Sequence, residues 1–284
     1  MNEFTEGEPE EVQAEGMKFE FEQKLDAMNM DQKMMGLAGQ NIEHYRQFIA
    51  NTFDLAEQEK INETLFQMIE FHKDQKDRPD GMPYISHPLE VSRTVVEDFG
   101  IRDVELIEAS LLHDTVEDQG VKLAQVELEA KYGEVVGSEN FEEDHKDEIR
   151  ELALSKINEK YGGRVAGILD KLSNPDFDKT AKQDIDPNDK EKFQNRKHEL
   201  YKEHVAKSIQ DPDVLVIKLA DFLHNFSDAG QLPESSQKEK FRNKYVPVMP
   251  VFKDRLLDES KSTIIPNRDL VIHRLEEATN RLAR

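Results

Sequence analysis

The chain has 284 residues, and its 60 Asp and Glu against 38 Lys and Arg give a formal charge of −22 with histidine neutral. This charge repels polyanions and the mean hydropathy is −0.76, so we expect neither a nucleic-acid polymer nor a membrane as partner. The chain has no cysteine, which excludes disulfides, zinc-thiolate sites and thiol nucleophiles and leaves His, Asp and Glu as metal ligands. The absence of cysteine fits a reducing cytoplasm, where we expect the protein to be.

The predicted elements are helices. With only 13 Gly and 11 Pro, turn-forming residues are scarce, which favours long helices over turn-rich β structure. No pair of alternating apolar segments indicates strands. We therefore predict an all-α fold.

The N-terminus differs in composition from the rest. Residues 1–16 are acidic and nearly free of large apolar side chains, so we predict a disordered tail there and a helical extension over 17–50. Met17 to Leu37 holds five of the nine methionines and fits an amphipathic helix. Two interpretations stay open: the helix packs on the main domain, or it binds a partner or covers a site.

Helical periodicity continues along the chain. Apolar residues from Leu55 to His72 follow it, a second helix is predicted from Pro88 to Gly100, and Asp103 is the predicted N-cap of a third. Segments 139–148 and 174–189 are rich in acids or turn residues and are predicted as loops or solvated helix ends. Further helices are predicted over about 122–132, 146–160, 163–173, 190–209, 213–227, 236–246 and 267–283.

The most distinctive segment is Leu111 to Asp118, where an apolar helix ends in four ionisable residues. On a continuous helix His113 would lie one turn before Glu117, and Asp114 one turn before Asp118. Neighbouring carboxylates in a core-facing stripe need compensation, and a divalent cation supplies it. The alternative is a helix end whose acids face water.

Two other segments favour a metal site over a helix end whose acids face water. One places His87 between an apolar dipeptide and a helix start, and the other places Asp221 after a largely apolar helix, with Asn225 one turn further on. Together with His113 and Asp114 they would supply two imidazoles and two carboxylates. This mixed set suits Mn²⁺ or Fe²⁺ better than a closed structural zinc site.

The order of these ligands resembles the HD phosphohydrolase superfamily. Three sequence segments, Tyr84–Pro88, Leu111–Asp118 and Lys218–Asn225, narrow the resemblance to the hydrolase domain of the RelA/SpoT homologues, including the small stand-alone alarmone hydrolases. The resemblance implies an HD-domain helical bundle, which we place at 51–258. An extra N-terminal helix, helical insertions and a C-terminal helix over 259–284 would surround it. The short remainder leaves no room for a synthetase domain, so we expect a hydrolase alone.

The resemblance also implies an activity, the Mn²⁺-dependent release of pyrophosphate from the 3′ position of (p)ppGpp to leave GDP or GTP. His87, His113, Asp114 and Asp221 would hold Mn²⁺, while Glu117 and Asp118 would order and deprotonate the attacking water. Arg78, which precedes Tyr84 in the loop, would lie against the guanine, and Asn225 would lie near the ribose. Tyr84 itself would also contact the substrate. Candidates for phosphate neutralisation, each with a solvated surface charge as its alternative, are Lys73, Lys76, Arg78, Lys171, Arg196, Lys197, Arg242, Lys244 and Tyr245. His224 is interpreted as packing beside the site rather than as a ligand, and His72 as a core or pocket-wall residue rather than a catalytic one.

Several departures from the family pattern bear on the substrate. Phe222 stands where the family has Arg, Ser227-Asp228 replaces Arg-Thr, and residues 133–162 resemble an insertion. Two alternatives therefore accompany the alarmone hydrolase: an HD phosphohydrolase for another nucleotide or phosphorylated cofactor such as NADPH, and a metal-binding protein without turnover. The presence of both Glu117 and Asp118 argues against the second.

The negative charge is concentrated in two places. Residues 1–32 hold ten acids and two bases, and residues 139–148 hold six acids and one base, so the other 242 residues carry only −9. A small anionic nucleotide, bound through a divalent ion and a few local bases, is therefore compatible with the composition.

Overall fold

A computed structural model describes residues 10–28, 32–78, 80–138, 140–231, 236–258, 260–261 and 264–282. These ranges contain helices and no strand, which confirms the all-α prediction. None of the helices in them is long and apolar enough to span a membrane. In chain order they are α1 (Glu10–Ala27), α2 (Gln32–Thr52), α3 (Leu55–His72), α4 (Ser86–Arg93), α5 (Val104–Leu111), α6 (Thr115–Asp118), α7 (Gly120–Leu123), α8 (Gln125–Tyr132), α9 (Phe141–Asp144), α10 (Lys146–Leu172), α11 (Phe177–Asp184), α12 (Lys190–Ser208), α13 (Pro212–Gln231), α14 (Ser236–Tyr245), α15 (Met249–Leu257) and α16 (Arg268–Leu282).

The first helix starts earlier than predicted. Residues 10–16 of the predicted disordered tail belong to α1, and residues 1–9 lie outside the described ranges. Glutamates in the first turn of a helix interact favourably with its dipole. Further along α1, the buried Phe21 ring contacts Phe66 edge-on at 6.4 Å and lies under the Arg46 guanidinium at 4.2 Å. This contact ties the helix to α2 and α3.

The methionine-rich segment is not one helix. α1 ends at Ala27 and α2 begins at Gln32. Phe21 and Met28 belong to the main hydrophobic core, so within the described part of this segment the structure shows a helix packed on the main domain.

The helix α3 forms as its sequence predicts. Asp54 caps it with a reciprocal pair of hydrogen bonds to Glu57, the arrangement known as a capping box. Its predicted apolar positions are buried and pack mainly on α5 and α1. They are Ile61, Leu65, Met68, Ile69 and His72.

Beyond Arg93 the helix α4 continues as a short π-helix, Thr94–Asp98, and this helical segment ends before Gly100 as predicted. Gly100 has φ +75°, a conformation that favours glycine, and a Cβ there would lie 3.0 Å from Nδ2 of Asn267. This close approach brings the start of α16 against the turn, where the Asn267 N–H donates to the Phe99 carbonyl at 3.3 Å.

The two polar segments predicted as loops contain short helices. Phe141 to Asp144 forms α9, and Phe141 joins a small separate core with residues of α8 and α10. Phe177 to Asp184 forms α11, whose N-terminus is capped by Asp176 accepting from the Lys179 N–H at 2.8 Å. The helices predicted over 146–160 and 163–173 are the two halves of α10, divided at Gly162, where φ is +86°.

The helix α13 crosses the main core. Residues Val214 to Ala220 are buried, as is Phe222. The C-terminal α16 packs against α13 and α15 through Val271 and Leu275. The helix α13 also packs against α4 and α5, which places Asp221, midway along α13, beside those two helices.

One buried acid on α5 predicts a pH effect on stability. Glu108 is 9% exposed, accepts from the Thr64 hydroxyl at 3.4 Å, and its pKa is raised by burial to about 7. Because the folded state then holds this proton more tightly than the unfolded chain, stability from Glu108 is lost as pH rises through 7. The free energy of unfolding of Glu108→Gln minus that of the wild type is expected to rise by about 2–3 kcal/mol from pH 5 to pH 8.

Urea unfolding at the two pH values measures this difference. The exposed Glu59→Gln on α3 is the matched control and is expected to show no pH-dependent gain. A Glu108→Gln variant that tracks the wild type at both pH values contradicts the assignment.

Candidate metal centre and active-site cavity

The helix carrying the His-Asp doublet breaks at the site. The prediction of one continuous helix through Asp118 is wrong, because α5 ends at Leu111 and Leu112 adopts φ −99° and ψ 5°. A turn holds His113 and Asp114 before α6 begins at Thr115. The turn presents both side chains to α4 and α13 instead of placing them along a helix face.

Three predicted ligands meet at the centre of the molecule. The Nε2 atom of His87 lies 3.1 Å from Nε2 of His113 and 3.2 Å from Oδ1 of Asp221. Each of the three residues offers a ligand atom within 4.8 Å of the others, and both histidines are buried. One cation of ordinary size can contact all three atoms.

Asp114 completes the predicted set. Its Oδ2 atom lies 3.1 Å from Nε2 of His113 and 3.6 Å from Nε2 of His87. The Tyr84 hydroxyl donates a hydrogen bond to the same oxygen. The structure thus brings all four residues predicted to hold the metal into one cluster.

Neighbouring groups orient the ligand atoms. Nδ1 of His113 lies 2.8 Å from the Ser110 carbonyl and donates its proton there, so in the neutral ring the lone pair that can bind a metal is on Nε2. Nδ1 of His87 lies 2.9 Å from Nδ1 of His224, which therefore packs beside the site as predicted. On α13, the Asn225 amide donates to Oδ1 of Asp221 at 2.5 Å.

The electrostatics of the cluster suit a cation. Burial works against the charged form of His113, but Asp114 and Asp221 outweigh it and raise the pKa of this imidazole to about 9. Burial would raise the pKa of Asp114, yet the adjacent His113 holds it well below its usual value. The carboxylates therefore retain their charge and attract positive charge to the imidazoles. Two imidazole nitrogens and two carboxylates are a donor set that fits a divalent transition metal.

Glu117 and Asp118 lie beside the cluster at the solvent-accessible side of the cavity. Surrounding protein and the nearby Asp114 charge raise the pKa of both carboxyls. Asn174 holds Glu117 with its backbone N–H at 3.2 Å and its amide at 3.1 and 3.3 Å. The Gln75 amide donates to Asp118 at 2.8 Å. Two positioned carboxylates of raised basicity thus adjoin the candidate metal ligands.

These residues line one cavity of about 260 Å³. Five predicted substrate contacts also line it: Arg78, Tyr84, Asn225, Lys244 and Tyr245. Arg78 donates to the Asn225 side-chain oxygen at 3.1 Å, which links the loop after α3 to α13. His72 is buried behind the cavity lining and stacks on Tyr84 with ring centres 5.1 Å apart, in agreement with its interpretation as a core or pocket-wall residue.

Other predicted substrate contacts lie elsewhere. Lys171 is exposed and pairs with Asp211 at 2.6 Å, and Arg196 pairs with Asp184 at 2.9 Å. Lys197 pairs with Asp178 and lines a neighbouring cavity. None of the three lines the metal-site cavity, and neither do Lys73, Lys76 and Arg242. Lys171, Arg196 and Lys197 thus each form an ion pair with a nearby carboxylate outside this cavity.

Four residues not predicted as site residues also line the cavity: Leu172, Asn174, Tyr201 and Lys218. Lys218 lies three residues before Asp221 on α13, so the helical spacing alone places it on the same face. Asn174 comes after α10 and Tyr201 belongs to α12, and the sequence of neither helix carries such a signal. Tertiary packing brings them to the site.

Phe222 and Asp228 are the two departures from the family pattern that bear on the identity of the substrate. Phe222 is 2% exposed and packs among Phe226, Tyr245 and Phe252 in the core, outside the cavity lining. The side chain of Asp228 lies outside the described part of the chain. Phe222 therefore does not itself line the cavity.

Comparisons with known proteins agree with the resemblance seen in the motifs. The chain is 47% identical over 58 residues to the guanosine-3′,5′-bis(diphosphate) 3′-pyrophosphohydrolase MESH1 of Homo sapiens, which covers 20% of this chain and 32% of that protein. It is 31% identical over 184 residues to the GTP pyrophosphokinase of Streptomyces coelicolor, which covers 63% of this chain and 16% of that protein. The match thus spans about a third of the human protein and less of the bacterial one. No protein-family model matches the chain.

A solved structure described as a metazoan ortholog of SpoT that hydrolyses ppGpp aligns over 78% of this chain and 94% of that one, with 18% identity and a TM-score of 0.49. Similarity at this level supports no functional conclusion. The sequence matches, together with the three motifs, confirm the predicted resemblance to the RelA/SpoT homologues: the chain is a relative of guanosine-3′,5′-bis(diphosphate) pyrophosphohydrolases and GTP pyrophosphokinases.

Proposed function

We propose that this chain is a metal-dependent phosphohydrolase that releases pyrophosphate from the 3′ position of (p)ppGpp. The observation that carries the proposal is the cluster of His87, His113, Asp114 and Asp221 beside Glu117, in one cavity of a chain whose relatives bear that activity in their names. Residues 51–258 would form the HD domain, with the flanking helices packed on it. The lack of cysteine fits a reducing cytoplasm, where we place the protein.

The four clustered residues would hold the metal, which we propose to be Mn²⁺. Histidine nitrogens and carboxylate oxygens together suit Mn²⁺ or Fe²⁺, and the cavity beside them leaves room for water and a phosphate. When bound, a divalent ion supplies Lewis-acid activation of water and neutralises phosphate charge.

The protein's own groups would manage the proton and the geometry. Glu117 accepts the proton of the attacking water, a role favoured by its raised pKa, and Asn174 fixes the orientation of its carboxylate. Asp118, held by Gln75, orders the same water. The water oxygen forms a bond to the phosphorus next to the 3′ oxygen, the 3′ O–P bond breaks, and the 3′ oxygen takes up a proton.

The nucleoside would lie toward Arg78 and Asn225. Their mutual hydrogen bond places a flat guanidinium and an amide at one wall of the cavity. We propose that Arg78 lies against the guanine and Asn225 near the ribose. Tyr84 and Tyr245 bound the same space, and Lys218 and Lys244 place positive charge in it.

A direct assay tests the proposed activity. Protein loaded with Mn²⁺ and incubated with ppGpp is expected to yield GDP and pyrophosphate, and chelation by EDTA is expected to stop the reaction. Anion-exchange chromatography separates these products. Turnover of NADPH but not of ppGpp would assign the second substrate class instead, and binding without any turnover would favour the silent metal-binding protein.

A further inference from the structure

A chain of hydrogen bonds runs from the core of the protein to Asp118. It passes through His72, which is the last residue of α3, is 1% exposed and lies outside the cavity lining. Nδ1 of His72 lies 2.5 Å from Oε1 of Gln75, and the Gln75 amide donates to Oδ2 of Asp118 at 2.8 Å. On the far side of the ring, Nε2 of His72 lies 3.2 Å from the Thr115 hydroxyl oxygen. One glutamine thus joins a buried imidazole to a carboxylate of the active-site cavity.

The neighbours of the Gln75 amide decide its orientation. An ionised Asp118 offers only acceptor atoms, so the Gln75 nitrogen faces it. The Gln119 amide nitrogen lies 3.0 Å from the Gln75 oxygen on the other side. A flipped Gln75 amide would set its oxygen against the carboxylate and its nitrogen against the Gln119 nitrogen, so the orientation shown is the one that satisfies these groups.

This orientation assigns the proton on the His72 ring. Because the Gln75 oxygen can only accept, Nδ1 of His72 carries the hydrogen and donates it. Nε2 then holds the lone pair and accepts from the Thr115 hydroxyl. Burial lowers the pKa of this imidazole, which favours the neutral ring with its single proton. The hydrogen bonds therefore all run in one direction, from Thr115 toward Asp118.

His72 also reaches the site through a second neighbour. Its ring stacks on Tyr84 with 21° between the ring planes, and the Tyr84 hydroxyl donates to Asp114. Stacking depends on the flat shape of the ring, which His72→Phe retains, whereas the bond to Gln75 needs a donor, which His72→Phe removes. Substitution can therefore separate the two sets of contacts.

We propose that His72 and Gln75 are positioning residues for the hydrolysis, and that His72 acts on Asp118 through the side chain of Gln75. Asp118 ends the four-residue helix α6 and is exposed, so the Gln75 amide is an important restraint on its carboxylate. This inference rests on the proposed function for the role of Asp118, the ordering of the attacking water. A carboxylate held in place before the reaction loses less freedom in the transition state, so the effect falls on kcat rather than on binding.

A double-mutant cycle on ppGpp hydrolysis by Mn²⁺-loaded protein tests the proposal. Gln75→Ala is expected to lower kcat about 10–100-fold, as loss of a hydrogen bond to a charged group does, and His72→Phe about tenfold. KM and Mn²⁺ affinity are expected to stay within about threefold of wild type, because other groups hold the four metal ligands. Since both residues act along one chain of contacts, the double variant is expected to be at most about twofold slower than Gln75→Ala.

Two further variants complete the cycle. In His72→Asn the side-chain amide can donate from the position of Nδ1, so kcat is expected to stay within about threefold of wild type although the ring is lost. Gln47→Ala, at an exposed glutamine of α2, is the control and is expected to match wild type. Losses that multiply in the double variant, or a His72→Asn that is slower than His72→Phe, would overturn the proposal. So would Mn²⁺ affinity that falls together with kcat, as an effect through Tyr84 and Asp114 predicts.

The tautomer of His72 gives a readout that does not depend on turnover or on variants. Nuclear magnetic resonance of the ¹⁵N-labelled imidazole in the wild type is expected to show a neutral ring protonated at Nδ1. A ring protonated at Nε2 would overturn the inference whatever the substrate is. If the wild type turns over another nucleotide and not ppGpp, the proposed function fails, and the same double-mutant cycle on that nucleotide tests the inference.

Discussion

Replacement of His113 by alanine is expected to remove metal binding and activity together. This imidazole lies at the centre of the cluster, with Nε2 3.1 Å from both His87 Nε2 and Asp114 Oδ2. Its other nitrogen is held by Ser110, so the ring is oriented before any ion arrives. We expect Mn²⁺ affinity to fall at least about 100-fold and hydrolysis by at least about 10³-fold.

Mn²⁺ binding followed by electron paramagnetic resonance, together with a ppGpp hydrolysis assay, measures both losses. The exposed His44→Ala is the control and is expected to behave as wild type. Because His113 is buried, His113→Asn, which keeps a polar side chain of similar size, separates loss of a ligand from loss of folding. A folded His113 variant that binds Mn²⁺ with wild-type stoichiometry and affinity contradicts the metal assignment.

Glu117→Gln is expected to separate chemistry from binding. Glu117 is outside the four-residue cluster, and its carboxylate is held by Asn174 with a pKa raised by burial and by Asp114. A glutamine keeps the size of the side chain and one oxygen that can accept a hydrogen bond from Asn174. It cannot accept the proton of the attacking water, because an amide is not basic. We therefore expect kcat to fall by about 10²–10⁴-fold while Mn²⁺ and nucleotide affinities stay within about threefold of wild type.

Steady-state kinetics combined with calorimetry checks this separation. Glu134→Gln, an exposed acid of the insertion, is the matched control and should leave kcat unchanged. If Glu117→Gln weakens Mn²⁺ binding as strongly as His113→Ala does, Glu117 belongs to the metal-binding set and the proposed proton acceptor is wrong.

Local sequence signals predicted much of the fold. The predicted N-cap Asp103 and the apolar period of α3 placed helices where the structure has them. The break at Leu112 was missed because Leu111 to Asp118 keeps a helical pattern, and the turn is stabilised by tertiary contacts of His113 and Asp114. α11 was missed because its composition is polar.

The metal cluster was predictable because its members lie in three short motifs. The rest of the cavity was not, because distant helices assemble it. Tyr201 on α12 and Asn174 after α10 reach the site only through packing, and no spacing in the sequence relates them to His87. Lys171 and Arg196 were assigned by charge alone, and each lies beside a nearer carboxylate partner.

The position of hydrolysis tests the central claim most directly. When Mn²⁺-loaded protein cleaves ppGpp in ¹⁸O-labelled water, ³¹P nuclear magnetic resonance identifies both the phosphate product and the site of the label. We predict labelled pyrophosphate together with GDP, because the water attacks the phosphorus adjacent to the 3′ oxygen. Release of labelled inorganic phosphate with a 3′ monophosphate left on the nucleotide, or unaltered ppGpp, would contradict the account.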